Sequence, residues 1–174
     1  MNATVLLLAT VSIFRMGGDI NVDDAPDGAV LRTMGGDIRV TRGSGCIVAK
    51  TMGGNIDIRQ LEGSADVGSM GGDIRVNVVA AGGGHDLDVH TLGGRIEVTL
   101  PRDFDGDFAV ELEEDHDSGP HRIISDFPLQ IRVSTRWRLF GGSRKLYTAT
   151  GRSGSAANRV KISTIGSDIT IRRK

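Results

Sequence analysis

Two columns of apolar positions run through this chain at constant spacing. Numbered from the Met of the recurring phrase Met-Gly-Gly-Asp-Ile, the third residue upstream is Ile13, Leu31, Ala49, Val67, Val89 and Ile162. The fifth upstream is Val11, Ala29, Ile47, Ala65, Leu87 and Val160. The positions between them, Phe14, Arg32, Lys50, Gly68, His90, Ser163 and Ser12, Val30, Val48, Asp66, Asp88, Lys161, are mostly polar. Alternation with period two predicts a strand with one buried face. Beyond the Gly-Gly the pattern resumes with Ile20, Ile38, Ile56, Ile74, Ile96 and Ile169, then Val22, Val40, Ile58, Val76, Val98 and Ile171. These two columns are β-branched throughout, which suits a pleated surface.

The phrase itself starts at Met16, Met34, Met52 and Met70, a period of 18 residues, with looser copies at Leu92-Gly93-Gly94-Arg95-Ile96 and Ile165-Gly166-Ser167-Asp168-Ile169. Fixed self-similarity of this length marks stacked supersecondary units. Each unit reads as strand, Gly-Gly corner, strand, second corner. Two short strands cannot bury their own apolar face, so the pattern predicts an all-β solenoid, a β-helix-like stack of ~18-residue rungs paired at ~4.8 Å. In that stack the glycines are expected to supply turn angles, the Met side chains to line the corner of the core, and the Asp side chains to cap their own turns. The column Asn21, Arg39, Asp57, Arg75, Glu97 alternates in charge from Arg39 onward, so neighbouring rungs should pair rather than repel.

One domain is expected over 1–174, with regular repeats over 1–100, an irregular acidic-then-basic segment over 101–158 and a terminal rung over 159–174. The spacing widens to 22 between Met70 and Leu92, which places an outward loop at Ala80 to Gly84. Pro101 breaks the strand text. Asp103 to Asp117 holds eight acidic residues and no Lys or Arg, whereas Pro120 to Lys174 holds twelve Lys or Arg against two Asp. Further strands are expected at Arg122 to Ser125, Leu129 to Leu139, Lys145 to Thr148 and Arg159 to Ile171, closing the stack as a C-terminal β cap.

Composition sharpens this picture modestly. Aromatics are 4% and Gly is 25 of 174, so the core must be aliphatic and the turns tight. A net charge of −1 gives no global field for nucleic acid. The lone Cys46, read as buried, excludes an internal disulfide and any Cys-pair metal motif. Thr4 to Phe14 is apolar, too short to span a bilayer, and has no Lys or Arg before Arg15. It therefore reads as a capping strand, with a signal or anchor remnant as the alternative.

The phrase Thr33-Met34-Gly35-Gly36-Asp37-Ile38-Arg39-Val40, the Leu100-Pro101 break, the Ser125-Asp126-Phe127-Pro128 stretch and the terminal run Ser163 to Ile171 together resemble the bacterial adhesin domain of β-strand-repeat proteins, otherwise a domain of unknown function. The resemblance covers essentially the whole chain. It implies a right-handed β-solenoid in proteins of the bacterial envelope or extracellular space, with no assigned catalytic residues. No clear signal or anchor is recognisable in the sequence, so a cytoplasmic location stays open beside the expected envelope one.

Candidate chemistry is sparse. Asp103, Asp105, Asp107 and Glu114 fall on ligand positions of a calcium loop, but Phe108 stands where that loop needs Gly, so no metal and no cofactor is expected. The Asp column is interrupted by Arg95, which argues against a calcium roll. Arg132, Arg136, Trp137, Arg138, Arg144 and Lys145 could form a surface for an anionic polymer or lipid headgroups, unless the acidic segment just before them packs alongside and neutralises both. His85, His90, His116 and His121 are scattered through polar text and read as surface histidines. No nucleophile elbow, metalloprotease helix or phosphate loop is present. The leading expectation is a non-enzymatic structural or adhesion-like module, with end-to-end self-association open to it. The alternative is the anionic-ligand binder, and third comes a carbohydrate-active β-helix enzyme.

Overall fold

The computed structural model describes residues 11–80, 82–114, 121–138 and 142–174, with backbone alone at 136–138, 142 and 143. Part of the expected capping strand, His116 and one residue of the expected loop at 80–84 lie outside the described residues. Within them there is no helix. The strands are β1 (Ser12–Arg15), β2 (Ile20–Ala25), β3 (Val30–Thr33), β4 (Ile38–Thr51), β5 (Ile56–Ser69), β6 (Ile74–Val78), β7 (Asp86–Thr91), β8 (Ile96–Leu100), β9 (Gly106–Glu114), β10 (Ile123–Ser125), β11 (Gln130–Arg138), β12 (Gly142–Ser153), β13 (Asn158–Ile165) and β14 (Ile169–Arg173). They join into one open, curled sheet whose longest path runs β10-β14-β8-β6-β5-β7-β13-β9-β12-β11.

Like residues face like residues across parallel pairs. After the Gly-Gly corner, Ile38 lies opposite Ile56, Ile56 opposite Ile74, Ile74 opposite Ile96 and Ile96 opposite Ile169. Before the corner, Leu31 lies opposite Ala49, Ala49 opposite Val67, Val67 opposite Val89 and Val89 opposite Ile162. β4 and β5, fourteen residues each, run from the ladder after the corner into the ladder before the next corner, so the two ladders form a single sheet. The apolar columns read from the sequence fill the core, apart from Val11, Ile13 and Val22 of the first repeat, which are only partly covered. The extra residues between β6 and β7 are absorbed along β5: its pairing with β6 shifts register between Ile58, opposite Val76, and Leu61, opposite Val78, and pairing with β7 resumes at Ala65 opposite Leu87. Cys46 is exposed, contrary to expectation, because Ile47 beside it takes the inward position and alternation turns Cys46 out.

Sequence order and spatial order part company at the C-terminus. The last repeat, β13 and β14, pairs with β7 and β8 on one side and with β9 and β10 on the other. The acidic segment supplies a further layer of the core. Phe108, Val110 and Leu112 of β9 point inward opposite Val160, Ile162 and Thr164. β12 then runs antiparallel to β9, and β11 antiparallel to β12. The buried phenylalanines concentrate at this end: the Phe108 and Phe127 rings lie 4.9 Å apart, Phe104 and Phe108 6.2 Å apart, and the Arg173 guanidinium sits 4.4 Å over Phe127. Larger rings close the end of a core that thin aliphatic layers fill elsewhere.

Candidate functional site

The most regular surface feature is the Gly-Gly corner. Thr33, Thr51, Ser69, Thr91 and Thr164, each preceding the Met position, are buried. Their hydroxyls donate to the second-glycine carbonyl of the adjoining repeat: Thr51 Oγ1 to Gly36 O at 2.9 Å, Ser69 Oγ to Gly54 O at 2.9 Å, Thr91 Oγ1 to Gly72 O at 3.2 Å. Thr33 and Thr164 bond Gly18 and Gly94 in the same way. The same oxygens accept from their own corner, Gly54 N to Thr51 at 3.2 Å and Gly72 N to Ser69 at 2.9 Å. The hydroxyls of Thr51, Ser69 and Thr91, the last accepting Gly94 N at 3.3 Å, thus each satisfy a donor and an acceptor that would otherwise be buried unpaired.

At four corners a hydroxyl occupies the interior and the Met or Leu after it faces outward; Met16, which follows Arg15, faces outward as well. Met16 is 76% exposed, Met52 47%, Met70 49% and Leu92 50%, with Met34 alike. The expectation that Met lines the core is therefore corrected. What results is a line of apolar side chains along the outside of the sheet's corner, adjoined at one end by exposed Phe14.

The glycines are corrected too. Among the corner glycines of the first four repeats only Gly18 has a positive φ. A Cβ on Gly54 would overlap the carbonyl of Gly36, and Gly36, Gly72 and Gly94 meet the preceding repeat in the same way. The first glycine of each pair faces open space: a Cβ on Gly53 would come no nearer than 3.9 Å to any neighbour. Close approach of successive corners, rather than turn angle, demands the second glycine.

The Asp column links repeats rather than capping its own turns. Asp19 Oδ1 accepts the Asp37 amide at 3.0 Å, Asp37 the Asn55 amide at 2.9 Å, Asn55 the Asp73 amide at 2.9 Å and Asp73 the Arg95 amide at 2.9 Å. Asp168 accepts Arg122 at 2.8 Å, which places Arg122 in the same column. The Asp37 amide, then the Arg39 guanidinium, holds the Asp19 carboxyl below its ordinary range. In the neighbouring column Arg75 pairs with Glu97 at 3.5 Å, as the alternation of charge predicts, whereas Arg39 turns to Asp19 and Asp37, Asp57 is held by Arg59 at 3.3 Å, and Arg172, from outside the column, also reaches Glu97 at 3.1 Å.

On the outward side of the ladder before the corner a groove of about 500 Å³ is lined by Lys50, Asp66, Asp88, His90, Glu111 and Lys161 among others. Its charges are largely internal: Lys50 pairs with Asp66 at 2.7 Å and Lys161 with Asp88 at 3.6 Å, and the His90 ring fills the space above Gly68. The sequence carried these residues as polar alternates and gave no sign that they converge.

The calcium-loop residues are dispersed. Asp105 accepts Ser155 Oγ and the Ala156 and Ala157 amides, fixing the turn that leads into β13. The Ser155 hydroxyl first, then those amides, lowers the Asp105 pKa. Asp107 is held by both Nε and Nη2 of Arg152, at 2.8 and 3.3 Å. Glu114 accepts the Tyr147 hydroxyl at 3.1 Å, which raises the phenol's pKa. Asp107 and Glu114 lie seven residues apart on one extended strand, about 23 Å at ~3.3 Å per residue, and Asp103 stays exposed in the preceding turn.

The basic residues do meet the acidic segment. Lys145 lies opposite Glu114 across β12 and β9, with Nζ 4.0 Å from Oε2, and Arg144 reaches Glu113 at 3.1 Å. Arg132 is exposed on β11, opposite Thr148. Arg136, Trp137 and Arg138 end the same strand opposite Arg144, Ser143 and Gly142, and their side chains lie outside the described residues. No family model, no curated protein and no solved structure matches this chain.

Proposed function

We propose that this chain is a non-enzymatic β-solenoid module of the bacterial cell envelope, a rigid scaffold that presents repeated side-chain columns as a binding surface. Support for a stacked solenoid comes from like-on-like parallel register at the repeat period in both ladders. The envelope assignment rests on the sequence resemblance. The observation that carries the binding role is the exposed line Met16, Met34, Met52, Met70 and Leu92. Contiguous apolar side chains on a surface whose core is filled from other columns mark a contact site, and Met adapts its shape to varied partners.

Two measurements test this. Cell fractionation should recover the protein with the envelope, and cytosolic residence would sink the envelope assignment. The double variant Met34→Glu, Met52→Glu should keep the wild-type melting temperature within a few degrees, since both side chains face solvent, yet retain on isolated envelope material at least tenfold less well. Undiminished retention would remove the corner line as the contact surface.

A further inference from the structure

β11 is the last strand of the sheet's long path, and among the described residues it pairs on one side only, with β12. It is nine residues long, and every residue from Gln130 to Thr135 is exposed, with Ile131 at 53% and Val133 at 59%. Such an edge offers a row of open N–H and C=O groups to any extended chain. Pairing with β12 is unbroken from Gln130 opposite Thr150 to Arg138 opposite Gly142, so no bulge turns the edge aside. Its one guard against indiscriminate pairing is charge. Gln130 to Arg138 contains Arg132, Arg136 and Arg138 and no carboxylate.

That charge selects the occupant. A second copy's β11 would bring only cations against cations, which opposes pairing. The opposite arrangement exists two strands away: β9, carrying Glu111, Glu113 and Glu114, lies along β12, with Arg144 and Lys145 reaching Glu113 and Glu114. Arg132, by contrast, has no carboxylate partner among the described residues. The sheet therefore ends in a cationic strand whose next neighbour by charge complementarity is an acidic one, and whose exposed Ile131 and Val133 would gain cross-strand apolar contacts from it.

We propose that β11 is a docking edge for an extended acidic peptide segment, which adds to the sheet as a further strand with carboxylates beside Arg132 and small apolar side chains beside Ile131 and Val133. Main-chain hydrogen bonds would supply affinity and the alternating side chains selectivity. This edge is separate from the corner line, so either surface can fail without the other.

The test is fluorescence anisotropy on the full chain with a labelled nine-residue peptide of alternating glutamate and valine. Two controls accompany it: alternating lysine and valine, and the glutamate peptide N-methylated at every amide, which removes the donors of both its edges. The glutamate peptide should bind saturably, and rising salt should weaken it. Both controls should bind at least tenfold more weakly, as should the glutamate peptide with Arg132→Glu, a variant of an exposed residue expected to melt with the wild type. Absence of saturable binding overturns the proposal, and so does equal binding of the N-methylated peptide, which would exclude strand addition. Sedimentation showing a dimer that Val133→Asp dissociates would assign the edge to a second copy instead.

Discussion

At the scale of single residues, the two glycines of each corner look alike in sequence and differ entirely in what surrounds them. The second packs against the carbonyl of the repeat before it, whereas the first has open space. Gly54→Ala should therefore force neighbouring corners apart, at a cost of about 1–3 kcal/mol for an overpacked site. In a domain of this size that is a fall in melting temperature of roughly 2–12 °C. Gly53→Ala should stay within about 0.5 kcal/mol of wild type. Thermal unfolding of the two variants side by side checks this, and equal effects would contradict the close-approach account. The same scale explains why Met was misread: hydrophobicity alone assigns Met inward, but Thr51 or Ser69 beside it satisfies a buried carbonyl and amide that a thioether cannot serve as donor. The signal was present as a column of Thr or Ser before every Met but the first, legible only once a hydrogen-bonding need at the corner is considered.

At the scale of elements, the repeat strands were legible because period-two alternation is local, and each strand's apolar positions point where alternation requires. β9 was not recognised as a core layer, although Phe108, Val110 and Leu112 alternate as well as any repeat, because the run of carboxylates around them dominated the reading and no Gly-Gly corner follows. Its neighbour β13 is aimed by the turn that Asp105 holds, and here acid should tell. The Asp105 pKa is lowered in the fold by Ser155 Oγ and the following amides, so its contribution is fully present above the unfolded value, about 3.9, and is lost as pH falls through the lower folded value. Asp19 acts in the same direction. Melting temperature should therefore decline below about pH 4, and Asp105→Asn should melt lower at neutral pH with a shallower decline across that acid window. An Asn variant as acid-sensitive as wild type would show that the turn gains nothing from the charged form.

At the scale of the whole molecule, the decisive fact is that the end of the chain lies inside the sheet. Chain ends usually fray, yet β13 has β7 on one side and β9 on the other, and β14 has β8 and β10. This arrangement was not legible, since which distant strands become neighbours depends on edges left open by the rest of the fold, and no local pattern records it. Among the described residues β9 pairs with the repeats only through β13, and β10 only through β14. Ending the chain after residue 157 would thus sever β9 to β12 from the repeats and leave β7 and β8 as open edges. The full chain should then show amide exchange in β13 as slow as in β7, near the limit set by global unfolding, with faster exchange in the edge strands β1 and β11. The shortened chain should lose the single cooperative transition and tend to aggregate through its bared edges. Fast exchange throughout β13, or a shortened chain that melts as one unit, would contradict the placement of the terminal strands at the centre of the sheet.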